Sequence, residues 1–270
     1  MVAPLCIEVN QMNDTVFFGE LAWPEAQKRI ASGAPVFLPV GATEQHGRHM
    51  PLNVDVVIPT AIAERAARRV GGLVAPTIPY GNRSQPRSGG GRQFPGTLNL
   101  TAQTVSLVVR DVLMELFRQK ARKIIVLNGH YENIWPIVEG IELALDAIGR
   151  DHSDGLNIVR IDHWELIRPE TLARVFPEGY PGIELEHASV IETSMMLALR
   201  PELVDLAKAS HDGPAKFRPY DRYPAPPLEV PPSGVLSLTK GSSAEKGNWL
   251  LADCDDKIAE IMDHEFSGRR

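Results

Sequence analysis

Val36-Phe37-Leu38-Pro39-Val40-Gly41-Ala42-Thr43-Glu44-Gln45-His46 runs from an apolar segment into a carboxylate and an imidazole two positions apart. Ile124-Ile125-Val126-Leu127-Asn128-Gly129-His130-Tyr131-Glu132 repeats the plan with the order of acid and imidazole reversed. Short apolar runs rich in β-branched residues and closed by glycine read as buried strands. The two acid–imidazole pairs therefore fall at strand ends, where side chains from separate loops can converge on a metal ion.

The segments around these strands alternate in period. Trp23-Pro24-Glu25 opens a short helix with proline in its first turn, and Gly33 closes it. The first strand spans residues 35–40. Asp55 to Arg69 has helical spacing, with Ile58, Ala61, Ile62 and Ala66 on one side, and Leu73 to Ile78 reads as a second strand. Thr101 caps a helix reaching Lys120, striped by Val105, Val108, Val109, Leu113 and Leu116. Strands at Lys123–Asn128 and Asn157–Ile161 flank a helix from Ile134 to Ile148. Later helices are expected at Ala188–Leu199 and Ser243–Phe266. Strands separated by helices predict an α/β fold: three αβα layers around a largely parallel sheet, in a single domain over residues 1–270. Ligand sites in such folds lie beyond the carboxyl ends of the strands.

Two stretches break the alternation. Residues 81–97 form a long glycine-rich loop, and loops of that length in compact domains usually carry function. It lacks the Gly-Lys-Ser/Thr ending of a P-loop. Residues 212–234 are proline-rich and read as an ordered wrap or a subunit contact. No internal repeat is evident.

Composition narrows the function class. The chain has 270 residues, 43% hydrophobic and 23% charged, as in ordinary globular proteins. A formal net charge of -6 argues against a nucleic-acid partner, which calls for a basic face. No apolar run reaches the roughly 20 residues that cross a bilayer, and no signal-like N-terminal segment stands out, so a cytoplasmic protein is expected. The two cysteines, Cys6 and Cys254, read as free thiols.

Glu44, His46, Asp55, His130 and Glu132 form the candidate ligand set. Nitrogen and oxygen donors without thiolate suit zinc, manganese or a similar divalent ion. Three carboxylates overcompensate one dication, whereas two dications with a shared hydroxide come close to neutral, as a partly buried site requires. Five residues hold two ions if one carboxylate bridges, and Asp55, alone at a helix start, is the natural bridge. A pair of ions lowers the pKa of water and polarises a carbonyl, which makes hydrolysis of an amide or related carbon–nitrogen bond the expected chemistry. Glu186-His187 offers an imidazole for the leaving nitrogen. His187 and Glu132 are the expected catalytic residues. Glu192 receives no role, and His49, His152, His211 and His264 read as surface or structural.

These same segments resemble the creatininase family. The resemblance rests on Leu38-Pro39-Val40-Gly41-Ala42-Thr43-Glu44-Gln45-His46-Gly47, Asn53-Val54-Asp55, Asn128-Gly129-His130-Tyr131-Glu132-Asn133 and Glu186-His187, and it extends from about Phe18 to the C-terminus. It implies a three-layer αβα fold, a homohexamer, and two divalent ions per subunit, zinc or manganese. One ion would be held by Glu44, Asp55 and His130, the other by His46, Asp55 and Glu132. His187 would carry the proton. Ser88, Gly89, Tyr131 and Trp164 would line the substrate pocket. The implied reaction opens a small cyclic amide, with creatinine the leading substrate. At a flap before the Glu-His pair the resembled sequences carry tryptophan and then aspartate, and this chain has Ile183 and Glu184. Isoleucine excludes water but cannot stack on a planar ring, so another lactam, formamide or cyclic carbonyl compound is the alternative substrate. A non-catalytic, metal-stabilised assembly is the remaining reading.

Overall fold

Four strands form one parallel sheet in the order β2-β1-β3-β4: β1 is Val36–Val40, β2 Leu73–Val74, β3 Lys123–Asn128 and β4 Asn157–Asp162. The structure is a computed structural model describing residues 14–89, 91–149, 153, 155–224 and 230–266. Cys6 and His152 lie outside these residues. β1 and β3 pair in register from Val36 opposite Ile124 to Val40 opposite Asn128. The helices are α1 (Trp23–Ala31), α2 (Val54–Val70), α3 (Ala102–Arg118), α4 (Ile134–Ile148), α5 (Pro169–Val175), α6 (Val190–Leu199) and α7 (Ala244–Phe266).

The period-two alternation of a strand divides the core into two clusters. Phe37, Ile125 and Leu127 pack against Ile58 and Ile62 of α2, Met195 and Met196 of α6, and Leu250 and Ile258 of α7. Val36, Leu38, Val40, Ile124 and Val126 face the other way, onto Ile30 of α1, Val105, Val109 and Leu113 of α3, and Ile137 and Ala144 of α4. With both faces covered, the central strands are apolar at nearly every position. This is the expected three-layer αβα arrangement around a parallel sheet.

The second strand is shorter than its sequence suggests. It covers Leu73–Val74 instead of residues 73–78. Beyond Val74 the chain still follows β1, with Ala75 N donating to Phe37 O and Ile78 N to Pro39 O, but Pro39 and Pro76 both lack an N–H for the ladder. Thr101 caps α3 as expected, its side chain accepting from Thr104 N. Helix α6 starts at Val190, not Ala188, because Ala188 takes a left-handed φ of 55° just before it. Helix α5 has no counterpart in the sequence reading.

Candidate functional site

The strand ends and the first turn of α2 meet at unusually short range. A methyl group added to Gly41, just after β1, would lie 2.2 Å from Asp55 O, and one on Gly129, just after β3, 2.5 Å from it. Only glycine lets α2 approach so closely. That approach delivers the Asp55 carboxylate between the two acid–imidazole loops.

Asp55 then divides its oxygens between two imidazoles. Its Oδ1 lies 3.0 Å from His46 Nε2, and its Oδ2 lies 3.1 Å from His130 Nδ1. Glu44 Oε2 is 3.2 Å from the same His130 Nδ1. On the other side, Glu192 Oε1 is 3.6 Å from His46 Nε2. Of three groups with ligand atoms within 4.8 Å of one another among the described residues, two share Asp55 and form the paired donor sets, Glu44–Asp55–His130 and His46–Asp55–Glu192; the third is Glu44–His46–His187.

Proton accounting shows what these sets suit. His46 Nδ1 lies 3.1 Å from Glu44 O, and His130 Nε2 lies 2.9 Å from Asn82 O. A carbonyl only accepts, so the proton of each neutral imidazole is committed to the backbone. The remaining nitrogen then faces two carboxylates with a lone pair. His46 Nε2 and Asp55 Oδ2 are buried without a hydrogen-bond partner among the described residues. A divalent cation satisfies all these lone pairs at once, so the residues fit the ions their chemistry implies. Without a cation, the alternative is imidazolium. Burial opposes charge on His46, but Asp55 and Glu192 outweigh it and hold its pKa well above the ordinary value. Glu44 and Asp55 do the same for His130 against its burial. Burial likewise resists ionisation of Glu44 and Asp55, yet the imidazoles pull both carboxyls below their usual range.

Glu132 does not join either set. Its turn, Tyr131–Asn133, carries the side chain to the Nε2 side of His130, 3.4 Å away, while the other donors stand on the Nδ1 side. Its second oxygen accepts from Gln85 N in the glycine-rich loop. The structure places Glu192 with His46 and Asp55 instead. An acid among apolar residues of α6, five positions after His187, was the available signal, but it forms no close acid–imidazole pair of the kind at residues 44–46 and 130–132. His49 is not on the surface. It is buried behind His46, with Nε2 3.0 Å from Thr193 Oγ1, and burial with the nearby His46 lowers its pKa to about 4.

Gln45, unremarked between the two predicted ligands, organises the surroundings. Its Oε1 accepts from Gly47 N, and its Nε2 donates toward Gly89 O (2.9 Å), Gly234 O (3.0 Å) and His187 Nε2 (2.9 Å). The ring of His187 lies 4.5 Å from that of His46. Gly89 presses on the site, since a methyl there would sit 2.0 Å from Glu44 Oε1, and Ser84 Oγ donates to that oxygen. Next to His187, burial pushes Glu186 up to about 8, with Glu192 adding to the effect.

A cavity of about 770 Å³ opens onto both donor sets. Ser88, Tyr131, Trp164, Ile183, Glu184 and His187 line it, as do Phe217, Arg218 and Pro219 from the proline-rich segment. That segment is thus a wrap over the site, tied to the glycine-rich loop by Arg87, whose Nη1 donates to Arg218 O and whose Nε pairs with Asp221. The Tyr131 and Trp164 rings stand 5.9 Å apart. Gly89 supports Glu44 from behind the lining.

The sequence model of the creatininase family, described as creatinine amidohydrolase, matches residues 19–262. The chain belongs to the creatininase family. Within it, creatinine amidohydrolase of Pseudomonas putida is 46% identical over 257 residues, covering 94% of this chain and 99% of that protein. The mycofactocin precursor peptide peptidase of Mycobacterium ulcerans is 30% identical, covering 90% of each chain. A crystal structure of creatininase superposes with a TM-score of 0.91 at 45% identity, covering 94% of this chain and 98% of that one. Other creatininase structures include a manganese form, a mutant of Zn–Zn type and a mutant complexed with creatine.

Proposed function

We propose that this protein is a binuclear metal-dependent amidohydrolase that opens creatinine to creatine. The observation that carries the reading is Asp55, one carboxylate shared between two imidazoles whose own protons are committed to backbone carbonyls. Glu44, Asp55 and His130 would hold one zinc or manganese ion, and His46, Asp55 and Glu192 the other. When bound, the two ions supply Lewis acidity to the ring carbonyl and lower the pKa of the hydrolytic water.

The chain's residues do the rest. His187 stands beside both donor sets and carries the proton to the departing ring nitrogen. Gln45 holds its imidazole. Glu132 orients His130 and fastens the glycine-rich loop through Gln85. Tyr131 and Trp164 form the aromatic wall against which a planar ring lies, and Ile183 with the proline-rich wrap excludes water. The relatives named creatinine amidohydrolase, and a creatininase structure holding creatine, support the substrate.

The test is creatine formation from creatinine by protein loaded with zinc or manganese. Turnover is expected in both cases. A preparation holding two ions per subunit that makes no creatine would refute the substrate assignment.

A second reading is favoured by Ile183 and Glu184. Both line the cavity where an indole and a shorter acid would stack on and bind a creatinine-like ring. The same machinery then serves another lactam, formamide or cyclic carbonyl compound. Ile183→Trp should raise kcat/KM for creatinine; no gain would remove the basis for this alternative.

Assembly as a homohexamer is proposed from the family resemblance, and the exposed Trp23, Trp135 and Leu98 offer apolar area for subunit contacts. A cytoplasmic location is proposed with it, in keeping with Cys254, a buried free thiol. No helix among the described residues is long and apolar enough to cross a membrane.

A further inference from the structure

One imidazole at the site has no part in the chemistry above. His163 begins the turn that follows β4, and only 3% of its surface is exposed. Its Nδ1 lies 3.3 Å from Asn128 O. That carbonyl can only accept, so Nδ1 carries the proton and Nε2 is left as a lone-pair acceptor. Nε2 has no hydrogen-bond partner among the described residues, yet it is not sealed into the core, and His163 lines the cavity. The edge-on ring of Trp164, with centroids 5.1 Å apart, fixes the plane of the imidazole. A buried imidazole held in one tautomer on the wall of this cavity can offer its Nε2 to a donor there.

We propose that His163 is a specificity-determining residue whose Nε2 accepts a hydrogen bond from an amino or amidine N–H carried by the ring substrate. It belongs to neither donor set, so its contribution is to select the substrate and not to hold an ion. The inference deepens the creatininase reading and rests on it for the identity of the ring. An acceptor at this place favours a ring bearing an exocyclic nitrogen donor and disfavours the same ring with oxygen there, because two lone pairs would then face each other in a buried site.

Creatinine and 1-methylhydantoin differ in this way: the hydantoin has a carbonyl oxygen in place of the exocyclic nitrogen. Calorimetric titration of the metal-loaded protein should show creatinine binding about tenfold or more tighter than 1-methylhydantoin. His163→Phe should bring the two affinities within about threefold, chiefly by weakening creatinine, with bound metal unchanged. His163→Asn, which is smaller and keeps an acceptor, should retain part of the preference and covers the case of a phenylalanine variant that folds poorly. A third readout needs no variant. The 15N resonance of His163 Nε2 should report an unprotonated nitrogen in the free protein and move on saturation with creatinine. Equal affinities in the wild type, an undiminished preference in a folded His163→Phe protein, or an Nε2 that is protonated or unmoved would each overturn the proposal. Tight, selective binding without turnover would refute the catalytic reading and leave His163's role standing.

Discussion

Asp55 and Glu192 illustrate how little sequence distance matters to a site of this kind. Asp55 enters from the first turn of α2, and Glu192 from the first turn of α6, and both meet Nε2 of His46. Glu192 is also tethered, its Oε2 accepting from Ala188 N at 2.6 Å. The geometry therefore separates two acids that the family resemblance would exchange. Glu192→Gln removes a charged donor from the His46 set, so bound metal measured by elemental analysis should fall from two ions to one per subunit. Glu132→Gln leaves both donor sets intact and loosens the support of His130 and the tie to Gln85 of the glycine-rich loop. It should retain two ions, with affinity lower by about 10- to 100-fold. The opposite pattern would return Glu132 to the second set. Gln45 makes a separate prediction. Gln45→Leu should lower kcat by about 10- to 100-fold at unchanged metal content, because His187 loses the amide that holds its Nε2. A variant with unchanged kcat would show that His187 is positioned by other contacts.

At the scale of elements, the glycines after β1 and β3 carry the architecture of the site. Gly41→Ala or Gly129→Ala would place a methyl 2.2 or 2.5 Å from Asp55 O, a backbone atom that cannot step aside unless α2 moves. Each should cost at least about 2–3 kcal/mol in unfolding free energy and weaken metal binding by displacing Asp55. Gly33→Ala is the control. Its φ of 84° is strained for alanine, but there is open space around it, so only about 1 kcal/mol is expected and the metal content should not change. Calorimetric melting with metal analysis distinguishes the two kinds of cost. The same elements show what could be read in advance. β1, β3 and the stripe of α3 were legible because their neighbours in space repeat the pattern of their sequence. The place of Asp55 between the two acid–imidazole loops was suggested by its standing alone at a helix start between the two pairs. The length of β2 was not legible, because it depends on how the segment after Val74 pairs with β1, where Pro39 and Pro76 lack an N–H. Helix α5 is too short for a periodic signal, and Arg168 ahead of it instead spends its side chain on Asp253 and Glu260 of α7. The partners of His163 and Gln45 were hidden for the same reason: contacts between chain segments far apart carry no local mark.

Across the whole molecule, burying this many ionisable groups ties stability to pH and to metal. In metal-free protein, His46 and His130 have folded pKa values raised above their ordinary 6.5. Their contribution is fully present below that value and is lost as pH rises through the folded pKa. Glu186, raised from 4.5 to about 8, acts in the same sense across that interval. Asp55 and Glu44, with lowered values, contribute above their ordinary pKa and lose that contribution as pH falls through the folded one. His49 and His163, with lowered values, act oppositely and lose their contribution as pH falls below the ordinary 6.5, so metal-free protein should be most stable at about pH 6–6.5 and lose stability toward pH 8. Bound dications reverse the trend, because the imidazoles must be deprotonated to coordinate them. Zinc or manganese should thus raise the melting temperature more at pH 8 than at pH 5.5. Glu186→Gln isolates one part of the effect. It removes an acid that burial forces to stay protonated, so at pH 8 the metal-free variant should be more stable than the wild type, by as much as a few kcal/mol. At pH 5.5 the wild-type carboxyl is already neutral, and the two proteins should melt within a few degrees of each other. A metal-free protein whose melting temperature is flat from pH 5.5 to 8 would mean that the cluster does not hold its protons as this arrangement of charges requires.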